Sequence, residues 1–284
     1  MTKQKSLTDA VAELNRKARE GSLDVVAAHV LTDAGRAVPD ILVFAAAAPA
    51  FDAGCMFLVP VAGRGVFTRA AELSLNGVYG FVGPAPNERL GVIDVLFTSD
   101  MAAKGGAGYT GLHLFTDAIL DHELNVFCRS MENTEHRSVT RLSKMQFARM
   151  TIYDAAMDPE FMALAGNTLF PGARLRVNGG DAIVAGSGAR SVDEAPSLSL
   201  IADLFPMRPE LLLCDANGVM ARHNLTFAIP MAAVAEPEAL LKRVLSLIAG
   251  RGGDASRLAE AEDDLAAALR AGTFHQADPG PQTV

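Results

Sequence analysis

Three cysteines carry the most reactive chemistry in this sequence, and their spacing narrows what that chemistry can be. Cys55, Cys128 and Cys214 form no CxxC pair, so a zinc knuckle lacks its ligand spacing. An odd, sparse set suits reduced thiols rather than a disulfide framework. Cys55 follows Gly54 at the head of the apolar run CMFLVPV, and Cys128 precedes Arg129 in ELNVFCR. A guanidinium beside a thiol favours the thiolate, the form that attacks carbon and carries sulfur. Cys214, inside ELLLCDA, fits a core thiol, because free cysteine is among the most buried residue types.

Two glycine-rich stretches are the next candidates. GGAGYTG, residues 105–111, holds Gly106 and Gly108 in front of an apolar-periodic segment, where backbone amides could cradle a ligand. It lacks the Lys-Ser/Thr of a P-loop and the spacing of a dinucleotide fingerprint, so a flexible turn is its competing reading. GSGAR, residues 186–190, offers Gly186 and Gly188 for close backbone approach and Arg190 for an anion; Arg129 is the other carboxylate-binding candidate. The histidines show no metal-ligand spacing, and His113, beside the first glycine stretch, is the best substrate-binding candidate among them. No metal ligands are assigned.

These groups must be positioned by a chain of 284 residues that is 50% hydrophobic, enough for a substantial core. A net charge of -8 argues against an electrostatic grip on nucleic acid. The absence of Trp, with three Tyr, leaves little for a stacking groove. No apolar stretch approaches the ~20 residues needed to cross a bilayer, and the charged start has no signal-peptide core, so the expected location is cytoplasmic, away from membranes.

Apolar periodicity predicts a helix over Ser6 to Glu20 and a second, short one over Ser22 to Asp33, closed by Gly35. DILVFAAAAPAF and CMFLVPV read as buried strands flanking Cys55. Asn76-Gly77 and Asn178-Gly179-Gly180 signal hairpins. A helix bearing Leu112, Phe115, Ile119 and Leu120 leads to the strand ELNVFCR, and residues 131–149 form a polar segment with no element assigned. MTIYDA and LTFAIPMAAV read as further strands, and Asp158-Pro159 as the start of a short helix. Two amphipathic helices joined by RGGDA close the chain before a frayed tail from Phe274. In a non-catalytic reading of the chain, the apolar residues Leu240, Leu241, Val244, Leu245 and Leu247 of these terminal helices would dock a partner or a second copy. The expected fold class is α/β or α+β: a mixed sheet with hairpins, flanking helices and a C-terminal helical hairpin.

Taken in order, APAFDAGCMF, LSLNGVYGFVG, the glycine stretch with ELNVFCR, and LRVNGGDAIVAGSGARS followed by SLSLIADL and LTFAIPM resemble the homocysteine-synthase, or sulfur-incorporating, domain family of methanogens and some anaerobic bacteria. The resemblance runs from about Ser6 to Val234, which divides the chain into a family-like domain, 1–235, and a C-terminal helical extension, 236–284. It implies sulfur transfer to aspartate semialdehyde, giving homocysteine, with Cys55 and Cys128 as the two working cysteines. One would hold a persulfide sulfur or an adduct of the aldehyde while the other resolves the intermediate. Met56 and Phe57 follow Cys55 where the family carries small residues, which leaves open a different substrate of thiol or one-carbon type. The sequence contains no cluster-ligating cysteine set, so an iron-sulfur reductant is expected on a partner, a ferredoxin-like electron donor, rather than as a bound cofactor. A homo-oligomer is expected, and a non-catalytic ligand-binding or assembly subunit is the competing class.

Overall fold

The computed structural model describes residues 5–32, 37–49, 52–66, 69–83, 88–105, 108–190 and 193–276. The strands are β1 (Val25–Ala27), β2 (Ile41–Pro49), β3 (Ala53–Pro60), β4 (Ala70–Leu75), β5 (Val78–Val82), β6 (Val92–Thr98), β7 (Leu124–Ser130), β8 (Glu135–Thr140), β9 (Ala148–Ala156), β10 (Arg174–Val177), β11 (Gly180–Ala189), β12 (Pro196–Asp203), β13 (Leu213–Cys214) and β14 (Met220–Pro230). The helices are α1 (Leu7–Glu20), α2 (Gly111–Ile119), α3 (Pro159–Ala165), α4 (Pro237–Ala249) and α5 (Ala255–Arg270).

All the strands join one continuous ladder in the order β1-β2-β14-β10-β11-β12-β9-β3-β6-β5-β4-β7-β8, with β13 on β14. The β1–β2 pair is parallel and every other strand pair is antiparallel, so the sheet is mixed, with helices packed on it. Both Asn-Gly signals produce hairpins for the expected reason. Asn76 and Gly77 have φ of 47° and 82°, and Asn178 and Gly179 have 50° and 82°, the left-handed pair that two-residue hairpin turns require.

β2 is apolar along its length because both its faces are covered. Ile41 and Val43 pack with Leu265, Ala266 and Leu269 of α5, while Leu42 and Phe44 belong to the main core with Phe161 of α3 and Leu240, Leu241 and Val244 of α4. Leu240, Leu241 and Val244, which the non-catalytic reading gives to a partner, are therefore buried inside the chain. The tail also docks: Phe274 is buried against the α5 cluster, and the Gln276 side chain donates to the carbonyls of Arg174 and Ala228 at 3.0 and 3.1 Å.

Other expectations are corrected. Residues 22–32 form no helix: Val25–Ala27 pairs in parallel with Ile41–Val43, followed by one 3-10 turn at Ala28–Val30. The strand next door outweighs a modest helical pattern. Asp33 and Gly35 lie outside the described residues. Within 131–149, Glu135–Thr140 forms edge strand β8, whose polar alternation reflects its solvent face. In GSGAR, Gly186–Ala189 continues β11 against Pro196–Ser199.

Among the described residues, no helix is long and apolar enough to cross a membrane.

Candidate active site and ligand cavity

Cys55 sits in the middle of the sheet, with Phe97 of β6 on one side and Met150 of β9 on the other. Its exposure is 0%, and burial pushes its thiol pKa well above the ordinary value. Cys128, on β7 between Leu73 and His136, is also 0% exposed. Burial first, then the carboxylates of Glu88 and Glu72, push its pKa up to about 12. The neighbouring guanidinium does not act as expected. Successive side chains on a strand face opposite ways, and Arg129 is turned outward into an ion pair with Glu72. The two cysteines occupy one cross-strand row, Cys55–Phe97–Gly80–Leu73–Cys128. Four strand spacings separate them, ~19 Å measured along the ladder.

The remaining predicted site residues do not gather around either thiol's strand. Gly106 lies outside the described residues. Gly108 is exposed with φ of 86°. The glycine stretch is tied down by Tyr109, whose hydroxyl donates to Asp117 at 2.7 Å and accepts from the Asn76 side chain at 2.9 Å. His113 caps α2, its Nδ1 accepting the Thr110 amide at 3.2 Å. Gly186 and Gly188 face open space on β11. Arg190 pairs with Asp154 at 3.2 Å and Asp193 at 3.6 Å. Arg190 thus holds two carboxylates of its own chain.

A concave site with charged groups in its lining lies elsewhere. β1 covers only Ile41–Val43, so from Phe44 onward the edge of β2 facing away from β14 has no paired strand among the described residues. An uncovered edge leaves backbone groups seeking partners. Arg251 of the α4–α5 turn and Glu262 of α5 supply them at Ala45: its N–H donates to Glu262 Oε1 at 2.9 Å, and its carbonyl accepts from Arg251 Nη2 at 2.7 Å. Glu262, 0% exposed, also accepts the His29 amide at 2.7 Å, lies 2.9 Å from His29 Nδ1, and forms an ion pair with Arg251. A charge buried to this degree is tolerated only when paired and hydrogen-bonded, and here it is both.

Beside this pair lies a cavity of about 210 Å³. Its floor is the β2 segment Phe44–Ala47, its walls are Met157, Phe161, Leu247 and Leu258, and its charged groups are Asp158, Arg222, Arg251 and Asp254. The alanines let helices approach β2 closely and leave the space open. Arg222 is paired with Asp254 at 2.7 Å. Asp158 caps α3 by accepting the Phe161 amide at 2.8 Å, and the Arg243 guanidinium holds its carboxyl below the usual range. Arg251 differs. Its side chain is 4% exposed, and Nε and Nη1 have no hydrogen-bond partner among the described residues. Among the described residues, no cysteine and no predicted site residue lines this cavity. Sequence reading passed over Arg251 because RGGDA reads as a linker; a lone arginine in a tight interhelical turn was the one local signal.

A second buried polar group sits on β14. His223 is 0% exposed, its Nδ1 lies 3.4 Å from Asn178 Nδ2, and Nε2 has no partner among the described residues. Burial lowers its pKa to about 4. The folded state therefore holds the neutral ring. That contribution is complete above the unfolded pKa of about 6.5 and is lost as pH falls through about 4, at up to about 1.4 kcal/mol per pH unit. Urea midpoints from pH 7 to 4 should fall less steeply for His223→Leu than for the parent; parallel curves would contradict this.

No family model matches the chain. It is 26% identical over 271 residues to an uncharacterised protein of Methanothermobacter thermautotrophicus, covering 80% of this chain and 63% of the relative. It is 26% identical over 205 residues to an uncharacterised protein of Methanocaldococcus jannaschii, covering 62% of this chain and 53% of the relative. The chain thus spans less than two thirds of either relative's length. No solved structure matches it.

Proposed function

We propose that this chain binds a small polar metabolite in the cavity between β2, α3 and the α4–α5 turn. The observation that carries this reading is the cavity itself, whose largely apolar lining carries the charged side chains of Asp158, Arg222, Arg251 and Asp254. A volume of about 210 Å³ is below the ~300 Å³ at which pockets begin to hold drug-sized molecules, which limits the ligand to a small metabolite. Ala46→Leu tests the reading, because it fills the floor without touching the Arg251–Glu262 pair. A ligand-observed NMR screen of small metabolites should return binders to the parent chain whose signals disappear with Ala46→Leu. Hits unaffected by that substitution would place binding elsewhere.

Sulfur transfer to aspartate semialdehyde is the second reading; it rests on the resemblance of the segments around Cys55 and Cys128, and it has to bring together thiols four strand spacings apart on the sheet. It requires the sheet to open around at least one thiol, because both are 0% exposed. Homocysteine formation from aspartate semialdehyde and sulfide with a strong reductant, under anaerobic conditions, is expected to vanish in Cys55→Ser and Cys128→Ser. Undiminished product in both variants, or none from the folded parent, removes this reading.

A further inference from the structure

We propose that the ligand of this cavity is a neutral, planar small molecule with an amide-type edge, an N–H donor beside an acceptor, that pairs with the backbone N–H and carbonyl of Ala47. The inference rests on the ligand-binding reading above and gives that ligand its chemical class.

The anchor follows from the hydrogen bonding of β2. In an antiparallel pair, alternate residues turn both backbone groups toward the partner strand and the others turn both away. Ala45 turns its N–H and carbonyl away from β14, toward Glu262 and Arg251. Ala47, two residues on, shares that orientation, and the residue opposite it on β14 agrees. Asn224 has both backbone groups engaged on its other side: its carbonyl accepts the Asn178 amide at 2.8 Å, and its amide donates to Asn178 Oδ1 at 2.9 Å. The N–H and carbonyl of Ala47 therefore lie on the open edge of β2. Ala47 is half-buried in the lining of the cavity, and these two groups have no partner among the described residues. Backbone groups drawn out of bulk water are nearly always paired, and here the cavity is the space in which a partner fits.

The length of free edge decides between a peptide and a small molecule. A peptide added as a strand would pair with Ala45, Ala47 and Pro49, every second residue along the edge. Ala45 is already served by Glu262 and Arg251, and Pro49 has no N–H. One donor and one acceptor remain, side by side on an extended residue. They match the adjacent acceptor and donor of a primary amide, a lactam or a pyrimidine-type ring.

The charged groups make the ligand neutral. Arg251 is matched by Glu262, Arg222 by Asp254 and Asp158 by Arg243, so an ion entering the cavity finds no surplus opposite charge to offset its desolvation. The walls make it flat. Phe44 and Phe161 line the cavity with ring centroids 5.1 Å apart, and Leu258 adds aliphatic surface, against which a planar ring packs.

Calorimetric titration of the full chain with benzamide, acetophenone and benzoate tests this, because the three share a flat ring of similar size. Benzamide carries donor and acceptor, acetophenone the acceptor alone, and benzoate a charge with no donor. Benzamide should bind at least about fivefold more tightly than acetophenone, the difference one hydrogen bond makes, and more tightly than benzoate. Ala46→Leu should abolish benzamide binding while thermal unfolding stays cooperative. In hydrogen exchange followed by NMR, the Ala47 amide should exchange faster than those of Ala46 and Ala48 in the free chain, and slow when benzamide saturates it. Equal binding of benzamide and acetophenone, both lost in Ala46→Leu, would overturn the amide-edge assignment and leave the ligand-binding reading standing. Benzamide binding that is lost in Ala46→Leu but leaves Ala47 exchange unchanged would do the same. Tighter binding of benzoate would overturn the neutral ligand in favour of an anion. If none of the three binds, the NMR screen decides. Hits sensitive to Ala46→Leu that carry an adjacent donor and acceptor support the assignment, hits that lack them overturn it alone, and the absence of any such hit overturns both readings.

Discussion

Glu262→Ala is expected to lower the stability of the chain by about 3–5 kcal/mol, the range for removing one partner of a buried ion pair. Three things are lost together. The Arg251 guanidinium is left charged and unpaired at 4% exposure, and the amides of Ala45 and His29 lose their acceptor. A drop of this size is a large part of the roughly 5–15 kcal/mol by which domains are stable. Urea unfolding followed by circular dichroism checks it. The double variant Arg251→Met/Glu262→Leu should recover much of the loss, because two apolar side chains leave no stranded charge. A loss below about 1 kcal/mol would mean that solvent reaches the pair, and the account of Arg251 as a buried donor would fail with it.

In the folded chain, Cys128 should react with iodoacetamide far more slowly than an ordinary thiol. With its pKa pushed from 9.0 to about 12, its thiolate fraction at neutral pH is on the order of a thousandfold lower, and burial restricts access further. Cys55, equally buried and also raised, should behave alike, while Cys214, partly exposed, should be labelled first. Mass spectrometry after a short pulse, with and without denaturant, separates the three sites. The same shift has a stability consequence with a definite sign. The folded state retains the Cys128 proton between about pH 9 and 12, so its contribution is complete below about pH 9 and is lost as pH rises toward about 12. Native labelling of Cys55 or Cys128 as fast as Cys214 would show a presented thiol and move the balance toward sulfur transfer.

The parts of this protein legible in its sequence are those whose physics is local. Asn-Gly pairs made hairpins because few residues other than glycine and asparagine tolerate left-handed backbone, and Asp158-Pro159 opened a helix because cap and proline act within one turn. Amphipathic spacing located α1, α4 and α5. Tertiary structure decided the rest. Val25–Ala27 became a strand because Ile41–Val43 lay beside it, and Glu135–Thr140 because β7 offered an edge. A strand's partner is chosen across the chain, and no local pattern names it. The chemistry divides the same way. Thiol and guanidinium are properties of a residue type, and the sequence displayed them at Cys55, Cys128 and Arg190. Exposure and pairing are properties of position: folding buried both cysteines, matched Arg190 with Asp154, and left unsatisfied donors on Arg251 beside a β2 edge 206 residues away in the chain.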